Sequence, residues 1–400
     1  MLAGGRTRLG TEPTRSPEGS IEHLKVRLVA DDEAGLALAE ELRAELRIAI
    51  DLEAAGFHRY SDEVRLVQLS SPDRTYVIDP MAFDLSGVLR PALENPEVQV
   101  LIHGGDYDVR LLDRDLDIHP TNLFDTQVAA SLTGEPSVGL AALLEKYCSV
   151  SLSKKHQRAD WAKRPLPDEL IEYAAADTRY LHALADVLEA NLEEMGRTSW
   201  AEEEFAALET VRWSDDPETD PVAKVKGARS LPPRKLQALR EALAWRDEIA
   251  QRRDRAPFRV VGDPALMTIV AEDPSSVAEL GNVKGLNPRL VEQQGGRLLA
   301  RLRTVRGLPE DQIPPYPRPK ERGPSRPTPE EEQWASKIKK VRVTRAEELG
   351  IDRGLLLPNA VIYDLARRAP VDAAGLNVTE GLRNWQIEAV GDAVLAVMNC

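Results

Sequence analysis

The stretch LRIAIDLE, residues 46–53, is an apolar run that ends in two carboxylates one residue apart. Ile48 and Ile50 are β-branched, which favours a short buried strand. Alternate side chains of a strand share a face, so Asp51 and Glu53 should point the same way. Hard cations such as Mg²⁺ and Mn²⁺ prefer carboxylate oxygens, which makes this strand a candidate metal site. Taken alone, the pair also suits a strand that runs into a polar turn.

Further strands are predicted in the first half of the chain. KVRLV (25–29) and VRLVQL (64–69) stand on either side of the first stretch, and residues 75–78 and 98–103 follow. Between the first two strands, residues 31–45 carry leucines and alanines at roughly helical spacing behind an acidic start. This order of strands and helices predicts an α/β domain.

Length and composition limit the class of protein. Four hundred residues exceed one ordinary hydrophobic core and predict two or three domains. The chain is 42% hydrophobic and 30% charged, with no apolar run of membrane-spanning length. Residues 1–20 lack the apolar segment of a secretory signal, and we interpret them as a disordered lead-in. Two cysteines, Cys148 and Cys400, are too few for a disulfide framework or a cysteine zinc site, which fits a reducing cytoplasm.

The net charge of −14 argues against a protein that binds nucleic acid through bulk charge. It leaves room for a localised basic path, and bound dications would reverse the field of an acidic site.

A second acidic motif is HGGDYDVRLL, residues 103–112. The preceding strand ends at the glycine pair, and a helix should begin there with Asp106 as its cap. Asp108 lies just beyond the carboxyl end of a strand, where α/β sheets place their active sites. We interpret His103 as a hydrogen-bonded strand-end residue rather than a metal ligand.

A third motif is EYAAADTRYL, residues 172–181, which is strongly helical. Tyr173 and Asp177 are four residues apart and therefore share one helix face. A basic loop, residues 154–166, precedes this helix, and its Trp161 either anchors the loop in the core or offers an aromatic contact. The loop is either a solvated surface or a phosphate-binding segment. Its basic residues are Lys154, Lys155, Arg158, Lys163 and Arg164.

Together the motifs resemble a known family. D-x-E at 51–53, HGG-x-x-D at 103–108 and Y-x-x-x-D at 173–177, in this order, resemble the three exonuclease motifs of the DEDD superfamily in its tyrosine variant. Residues 157–181 are especially similar to the ribonuclease D family, and the resemblance covers about residues 21–205.

Other positions extend the resemblance. Gln68 and Asp125 stand where that family has its strand glutamine and its Asp-Thr pair, and with His103 they are expected to contact substrate. Gly104 stands where alanine is usual, and the basic loop carries substitutions at Ser153 and Lys155. None of these departures touches a metal-binding position.

The resemblance implies a ribonuclease H-like fold, a mixed sheet flanked by helices, and hydrolysis of nucleic acid from its 3′ end with two divalent ions, Mg²⁺ or Mn²⁺. Two such ions stabilise both the attacking and the leaving oxygen. Asp51 would bridge both ions, with Glu53 and Asp177 on the ion that activates water and Asp108 on the ion near the leaving group. Tyr173 would orient the water, because a phenol is a poor base at neutral pH.

The rest of the chain is helical. An acidic break at 213–228 is a predicted linker, residues 229–307 show helical periodicity, a proline-rich linker covers 308–328, and helices continue over 329–400. The exonuclease domain is accordingly expected at 21–212. The two helical blocks repeat at an offset of 96, which relates Leu266 to Ile362, Pro274 to Pro370, Leu280 to Leu376, Gly285 to Gly381 and Leu286 to Leu382.

The first block resembles an HRDC domain, the small all-α module appended to ribonuclease D and some helicases, and the second resembles a divergent partner. The family precedent is assistance in RNA binding; a pure packing role is the alternative. Trp245 is expected in the core of the module. Candidate phosphate contacts are Arg246, Arg252, Arg253 and Arg255.

The sequence thus predicts a metal-dependent 3′-5′ exoribonuclease that trims structured RNA such as tRNA precursors. It is expected to be a cytoplasmic monomer that binds RNA 3′ ends and no membrane. The alternatives are a DNA-directed proofreading or repair exonuclease and a non-catalytic RNA-binding scaffold. Loss of one of the four acids would have favoured the scaffold, and all four are present.

Overall fold

The computed structural model describes residues 25–153, 155–214, 219–317 and 326–398. An α/β domain comes first and two helical modules follow it. The domain has a six-stranded sheet with the order β1-β4-β3-β2-β5-β6. The strands are β1 (Val26–Val29), β2 (Arg47–Ala54), β3 (Val64–Ser70), β4 (Thr75–Ile78), β5 (Gln99–Ile102) and β6 (Leu123–Asp125).

The strand that carries the first acidic pair lies inside the sheet. β2 pairs antiparallel with β3 and parallel with β5, and Ile48 and Ile50 are fully buried. The antiparallel register shifts between Glu53 and Ala54, which is a β-bulge beside the second carboxylate. The expected mixed sheet flanked by helices is therefore confirmed.

Eight helices belong to the α/β domain: α1 (Asp32–Leu42), α2 (Leu85–Leu93), α3 (Asp106–Leu111), α4 (Thr126–Leu132), α5 (Leu140–Cys148), α6 (Asp168–Arg179), α7 (Leu181–Glu194) and α8 (Thr198–Glu209). α1 begins behind Asp31, whose side chain accepts the Ala34 N–H. α6 packs across β2, β3 and β4, with the Thr178 and Ser70 hydroxyls 2.8 Å apart. This crossing brings the third motif over the first.

The two helical modules are copies of one arrangement. The first module has α9 (Pro233–Arg252), α10 (Pro257–Val260), α11 (Asp263–Glu272), α12 (Val277–Gly281) and α13 (Pro288–Gly307). The second has α14 (Pro329–Leu349), α15 (Arg353–Leu356), α16 (Asn359–Arg368), α17 (Ala373–Asn377) and α18 (Asn384–Met398). Each helix begins 96 residues after its counterpart, and the left-handed residues Gly285 and Gly381 also correspond. The predicted repeat is confirmed.

The first module includes chain that was expected to be linker. Val222, Val225 and Ala228 are buried in its core beside Trp245, which is 2% exposed as predicted. Their spacing of three residues suits two short 3₁₀ turns, which place all three side chains on one side. The apolar side chains therefore draw this part of the segment into the module.

The second module docks on the α/β domain through an apolar face. The Trp200 and Trp385 rings stack with centroids 4.9 Å apart, and the Arg197 Nη2 donates to the Leu349 carbonyl at 2.6 Å. A Cβ on Gly134 would lie 2.2 Å from the Gly350 oxygen, so only glycine permits this approach.

The first module meets the α/β domain through polar contacts. The Tyr60 hydroxyl donates to Asp247 at 2.9 Å, and Arg59 pairs with Asp254 at 3.2 Å. The Ala256 N–H donates to the His58 carbonyl at 3.2 Å. These contacts all use the loop between β2 and β3, residues 55–63, so the first module lies beside the strand that carries the acidic pair. Among the described residues, no helix has the length and apolarity to cross a membrane.

Candidate active site

Three carboxylates from two elements converge at the carboxyl half of β2. Asp51 and Glu53 project from the same face of the strand, and Asp177 reaches them from α6. One oxygen from each of the three lies within 4.8 Å of the other two. This is the distance range in which carboxylates share a cation, so the grouping of the first and third motifs is as the sequence predicted.

The second motif contributes Asp108 from the first turn of α3, and its side chain is 8% exposed. It stands outside the group of three, but its charge raises the pKa of both Asp51 and Glu53. Its helix begins differently from the prediction. Gly105 is the N-cap, and Asp106 lies in the first turn, where it pairs with Arg110 at 2.9 Å.

The turn before α3 is stabilised by Asp125, which lies about 20 residues later in the sequence. Asp125 is buried, and its carboxylate accepts the N–H groups of Gly104 and Gly105 at 2.9 and 2.8 Å. It also caps α4 through the Gln127 N–H. Gly104 has φ of +68°, a conformation that glycine adopts without strain, which explains its place in the motif. Asp125 is thus fully engaged within the protein, and its expected contact with substrate is not supported.

The carboxylates hold protons unusually strongly. Burial, followed by the charges of its three neighbours, raises the pKa of Asp51 well above its ordinary range. Burial and then the charges of Asp177 and Asp108 raise the pKa of Glu53 to about 8. Burial raises the pKa of Asp108 and of Asp177 to about 7. Negative charge is costly here without a counter-ion, and a divalent cation would supply one.

Tyr173 lies one helical turn before Asp177 on α6. Burial and the nearby carboxylates raise its pKa to about 12, so the phenol keeps its proton at neutral pH. The ring packs beside Trp161 and His156, with centroids 6.2 and 5.5 Å away. Among the described residues its hydroxyl has no hydrogen-bond partner, which leaves a fixed donor available next to the acids.

Gln68 is a buried amide beside the central acid. It stands directly opposite Asp51 in the β2–β3 register and is fully buried. Neither polar atom of its side chain has a hydrogen-bond partner within the described chain. Opposite residues of an antiparallel pair point to the same face, so the amide lies next to the Asp51 carboxylate. A buried unsatisfied amide is costly, which suggests that its partner is a group that enters the site.

His103 lies at the end of β5, as expected. Its Nδ1 and the Thr126 hydroxyl oxygen are 2.8 Å apart, while Nε2 is buried without a partner in the described chain. Burial lowers its pKa, so the ring is neutral at pH 7. These observations agree with a hydrogen-bonded strand-end residue.

The basic loop has a buried anchor and an exposed rim. Trp161 is 2% exposed, which settles its role as an anchor. Its Nε1 has no hydrogen-bond partner among the described residues, although the side chain lies near enough to Glu53 to oppose part of the rise in pKa. Lys155 and Lys163 are exposed, and Lys155 lies 3.6 Å from Glu169. Lys154 lies outside the described residues.

Two arginines predicted to contact phosphates, Arg164 and Arg246, are engaged in hydrogen bonds and ion pairs within the protein. Arg164 pairs with Asp79 and donates to the carbonyls of Trp161 and Arg65, so these contacts do not support the expected role in substrate binding. Arg246 donates to the Val261 carbonyl and to Asp263. In the second module, Arg342 makes the same two contacts 96 residues later, with the Leu357 carbonyl and with Asn359. The arginine clamp is thus part of the module's architecture.

Sequence reasoning missed the loop between β2 and β3. His58 donates to the Arg158 carbonyl at 2.8 Å, and Arg59 pairs with Asp160 at 2.9 Å. The loop therefore lies between the basic loop and the first module. Its only signal in the sequence is the aromatic and basic string FHRY at 57–60.

Comparisons with known proteins agree with this site. A family model described as 3′-5′ exonuclease matches residues 26–193, and the HRDC domain model matches residues 235–302 and 331–398. A ribonuclease D from Granulibacter bethesdensis is 32% identical over 93% of this chain and 92% of its own length. The chain belongs to the ribonuclease D family. The ribonuclease D of Escherichia coli is 30% identical over 73% of this chain and 78% of its own.

Solved structures extend the family match to the whole architecture. The Escherichia coli RNase D crystal structure, described as an exoribonuclease involved in structured RNA processing, has a TM-score of 0.67 at 27% identity. It covers 94% of this chain and 99% of that one. The catalytic core of RRP6 from Trypanosoma brucei has a TM-score of 0.64 at 28% identity, over 74% of this chain and 83% of its own. For this ribonuclease D family member, the match to the Escherichia coli structure thus extends beyond the α/β domain into the helical modules.

Proposed function

We propose that this chain is a metal-dependent 3′-5′ exoribonuclease that trims the 3′ ends of structured RNA and releases nucleoside 5′-monophosphates. The observation that carries the proposal is the convergence of Asp51, Glu53 and Asp177 within 4.8 Å, in a chain of the ribonuclease D family. The protonated Tyr173 lies beside them, which supports hydrolysis by an oriented water.

The donor set fits divalent cations. The residues offer only carboxylate oxygens, the ligands that Mg²⁺ and Mn²⁺ prefer, and their pKa values are raised by burial and then by mutual repulsion, which a cation would offset. We propose two ions, held by Asp51, Glu53, Asp108 and Asp177. When bound, such ions neutralise charge on the attacking and leaving oxygens and make water a stronger nucleophile.

The protein's own groups position the reactants. Tyr173 donates its hydroxyl proton in a hydrogen bond to the attacking water, and the buried, unpartnered amide of Gln68 is available to a group that enters beside Asp51. His103, neutral and buried at the strand end, offers its unpartnered Nε2 to the substrate. On the outer rim, Lys155, Arg158 and Lys163 receive the phosphates of the incoming strand.

The substrate class follows from the relatives. The Escherichia coli relative is described as acting in structured RNA processing, and we propose tRNA precursors or similar RNAs for this chain. That it works as a monomer in the cytoplasm stays a prediction. A DNA-directed exonuclease is the second candidate, because no recognisable residue reads the 2′-hydroxyl.

The test is a degradation ladder from 5′-labelled RNA and DNA oligomers of one sequence, with Mg²⁺ and Mn²⁺ compared. We expect stepwise shortening of RNA from the 3′ end in the presence of either ion and none in EDTA, with Asp51→Asn inactive. Faster shortening of DNA would favour the second candidate. Strong RNA binding without shortening would favour a non-catalytic scaffold.

A further inference from the structure

A cavity of about 280 Å³ in the first helical module is lined by four arginines. They are Arg253, Arg255, Arg259 and Arg289, joined by Val260, Asn287, Leu290 and Gln293. No acidic side chain is among these lining residues, in a protein whose net charge is −14. So concentrated a positive charge is unfavourable unless an anion occupies the space.

The arginines of this cavity lack the carboxylate partners found elsewhere. Arg255 and Arg289 are exposed, and neither guanidinium group makes a hydrogen bond or ion pair within the described chain. The Arg253 guanidinium makes one contact among the described residues, at 3.3 Å to Gln293. Arg259 donates to the Phe57 carbonyl at 3.2 Å and to His58 Nδ1 at 2.9 Å. By contrast, Arg301 and Arg306 of the same module are both paired with acids.

Exposed aromatic rings adjoin the arginines. Phe57 of the β2–β3 loop is 42% exposed and Phe258 of α10 is 50% exposed, and their centroids are 5.6 Å apart. The guanidinium groups of Arg158 and Arg259 both lie over the Phe57 ring, at 5.6 and 5.1 Å. Two exposed rings cost free energy in water, and base stacking on such rings is a common mode of single-strand binding. Through Phe57, the basic loop and the arginine cavity form one continuous surface.

In the second module, the equivalent face packs against the α/β domain. At the offset of 96, the four arginines correspond to Leu349, Ile351, Leu355 and Trp385. These four apolar side chains pack in the core cluster shared with the α/β domain. The module fold therefore does not require arginine at these positions. In the second module this face is an apolar interface, and in the first module it is charged and partly exposed.

We propose that Phe57, Phe258, Arg255, Arg259 and Arg289, here called the seam site, bind the RNA strand upstream of the scissile end. Bases stack on the two phenylalanines, and one backbone phosphate enters the arginine cavity. This inference rests on the proposed exoribonuclease function. It identifies the surface along which the bound RNA strand runs from the active site toward its 5′ end. It assigns to the first module a direct contact with RNA rather than support alone.

Chain geometry limits how far upstream the site lies. Four residues separate Glu53 from Phe57, which is at most about 14 Å. The 3.2 Å contact to Arg259 and the length of an arginine side chain extend this to roughly 25 Å from the carboxylates. A stacked strand advances about 3.4 Å per nucleotide, so the site is reached within roughly seven nucleotides.

The experiment compares Arg255→Ala/Arg289→Ala and Phe258→Leu with wild type. Fluorescence anisotropy measures binding of 5′-labelled oligouridylates of 2, 4, 6, 8 and 12 nucleotides in EDTA, where no turnover occurs. The matched control is Arg229→Ala/Arg303→Ala, which removes two exposed arginines of the same module with no partner among the described residues.

For the 12-mer we expect the arginine variant to bind at least about tenfold more weakly and to flatten the slope of log affinity against log salt by about 0.7, since one phosphate loses its contacts. Phe258→Leu should weaken binding at least about fivefold with no change in that slope, because it removes a stacking surface and no charge. The dinucleotide should bind equally to all variants, with the difference between variants arising by about the eighth nucleotide. The control should match wild type at every length.

An RNA degradation assay with Mg²⁺ distinguishes failure of the seam site from failure of the proposed exoribonuclease function. If wild type shortens RNA and the seam variants have unchanged affinity and salt slope on the 12-mer, the seam site is overturned and the enzyme assignment stands. Equal loss on the dinucleotide and the 12-mer also overturns it, because the substitutions then act through the fold. If wild type shortens no RNA, the proposed function itself fails.

Discussion

Asp51→Asn should make the metal-free protein more stable while it removes activity. Asp51 is buried, and its burial, followed by the charges of Asp108, Asp177 and Glu53, raises its pKa well above the ordinary range, so its ionised form is costly in the metal-free protein. A carboxyl whose pKa rises from 4.5 to about 8, as in Glu53, destabilises the folded state by about 3 kcal/mol at pH 7. Asp51→Asn removes the cost of burying this carboxylate, which is the larger part, together with its repulsion from the neighbouring acids, so the substitution should recover about 2–3 kcal/mol. In the melting temperature of the α/β domain, that is roughly 4–10 °C.

The sign of the pH dependence follows from the raised pKa values. Between pH 5 and pH 8 the folded protein retains protons on Glu53, Asp108 and Asp177 that the unfolded chain has released. Stability of the metal-free protein is therefore highest at the acidic end of this window and is lost as the pH rises, by up to about 1.4 kcal/mol per pH unit for each group, until the pH passes the folded-state pKa of that group. Mg²⁺ should reverse the loss, with the largest effect at pH 8.

Thermal unfolding at pH 5, 7 and 8 in EDTA, and at pH 8 with Mg²⁺, tests the argument. Wild type should melt at progressively lower temperature as the pH rises in EDTA, and Asp51→Asn should show a smaller decrease and a weaker response to Mg²⁺. Glu145→Gln, which removes an exposed carboxylate from α5, is the matched control and should follow wild type. A wild-type melting temperature that is flat with pH, or an Asp51→Asn protein that is no more stable at pH 8, would refute the charge repulsion described for this site.

Three further predictions concern other parts of the molecule. Tyr173→Phe should lower kcat by roughly 100-fold with little change in Mn²⁺ affinity measured by titration calorimetry, because only the orienting hydroxyl is lost; an equal loss of affinity would make the tyrosine a structural support. Lys155→Ala/Arg158→Ala should weaken binding of all RNA sequences alike and lower the salt slope by about 1.4, and an unchanged slope would return the basic loop to a solvated surface. Trp385→Ala should destabilise the protein by about 3–5 kcal/mol in urea unfolding, because a stacked, buried indole is lost, while kcat at 25 °C is kept; a loss under 1 kcal/mol would contradict the docking described here.

Local spacing explains which features could be read from the sequence. Asp51 and Glu53 share a strand face, and Tyr173 and Asp177 share a helix face, whatever the rest of the chain does. The 96-residue repeat is likewise visible by comparing one block with the other. Assigning the acids to one site required the ordered set of motifs, because the sequence does not itself reveal that α6 crosses β2.

The remainder depended on contacts between distant segments. Asp125 holds the turn at Gly104 from 21 residues away, which left Asp106 as the nearest plausible cap in the sequence. Arg164 and Arg246 also have partners far away in the sequence. Both arginines were therefore predicted to contact phosphates. The seam site draws on the β2–β3 loop and on two helices of the first module, and the exposure of Phe57 and Phe258 follows only from their packing.

The two copies of the helical module are attached by different forces, and this has a consequence for the enzyme as a moving object. The second copy is held by stacked indoles and leucines, whose contacts salt does not weaken, while the first is held in part by Arg59, Tyr60 and their acidic partners. Rising ionic strength should therefore weaken the attachment of the first copy more than that of the second. The second module would then keep a fixed position on the α/β domain, while the position of the first module, and with it the binding of an RNA strand at the seam site, would depend on the salt concentration.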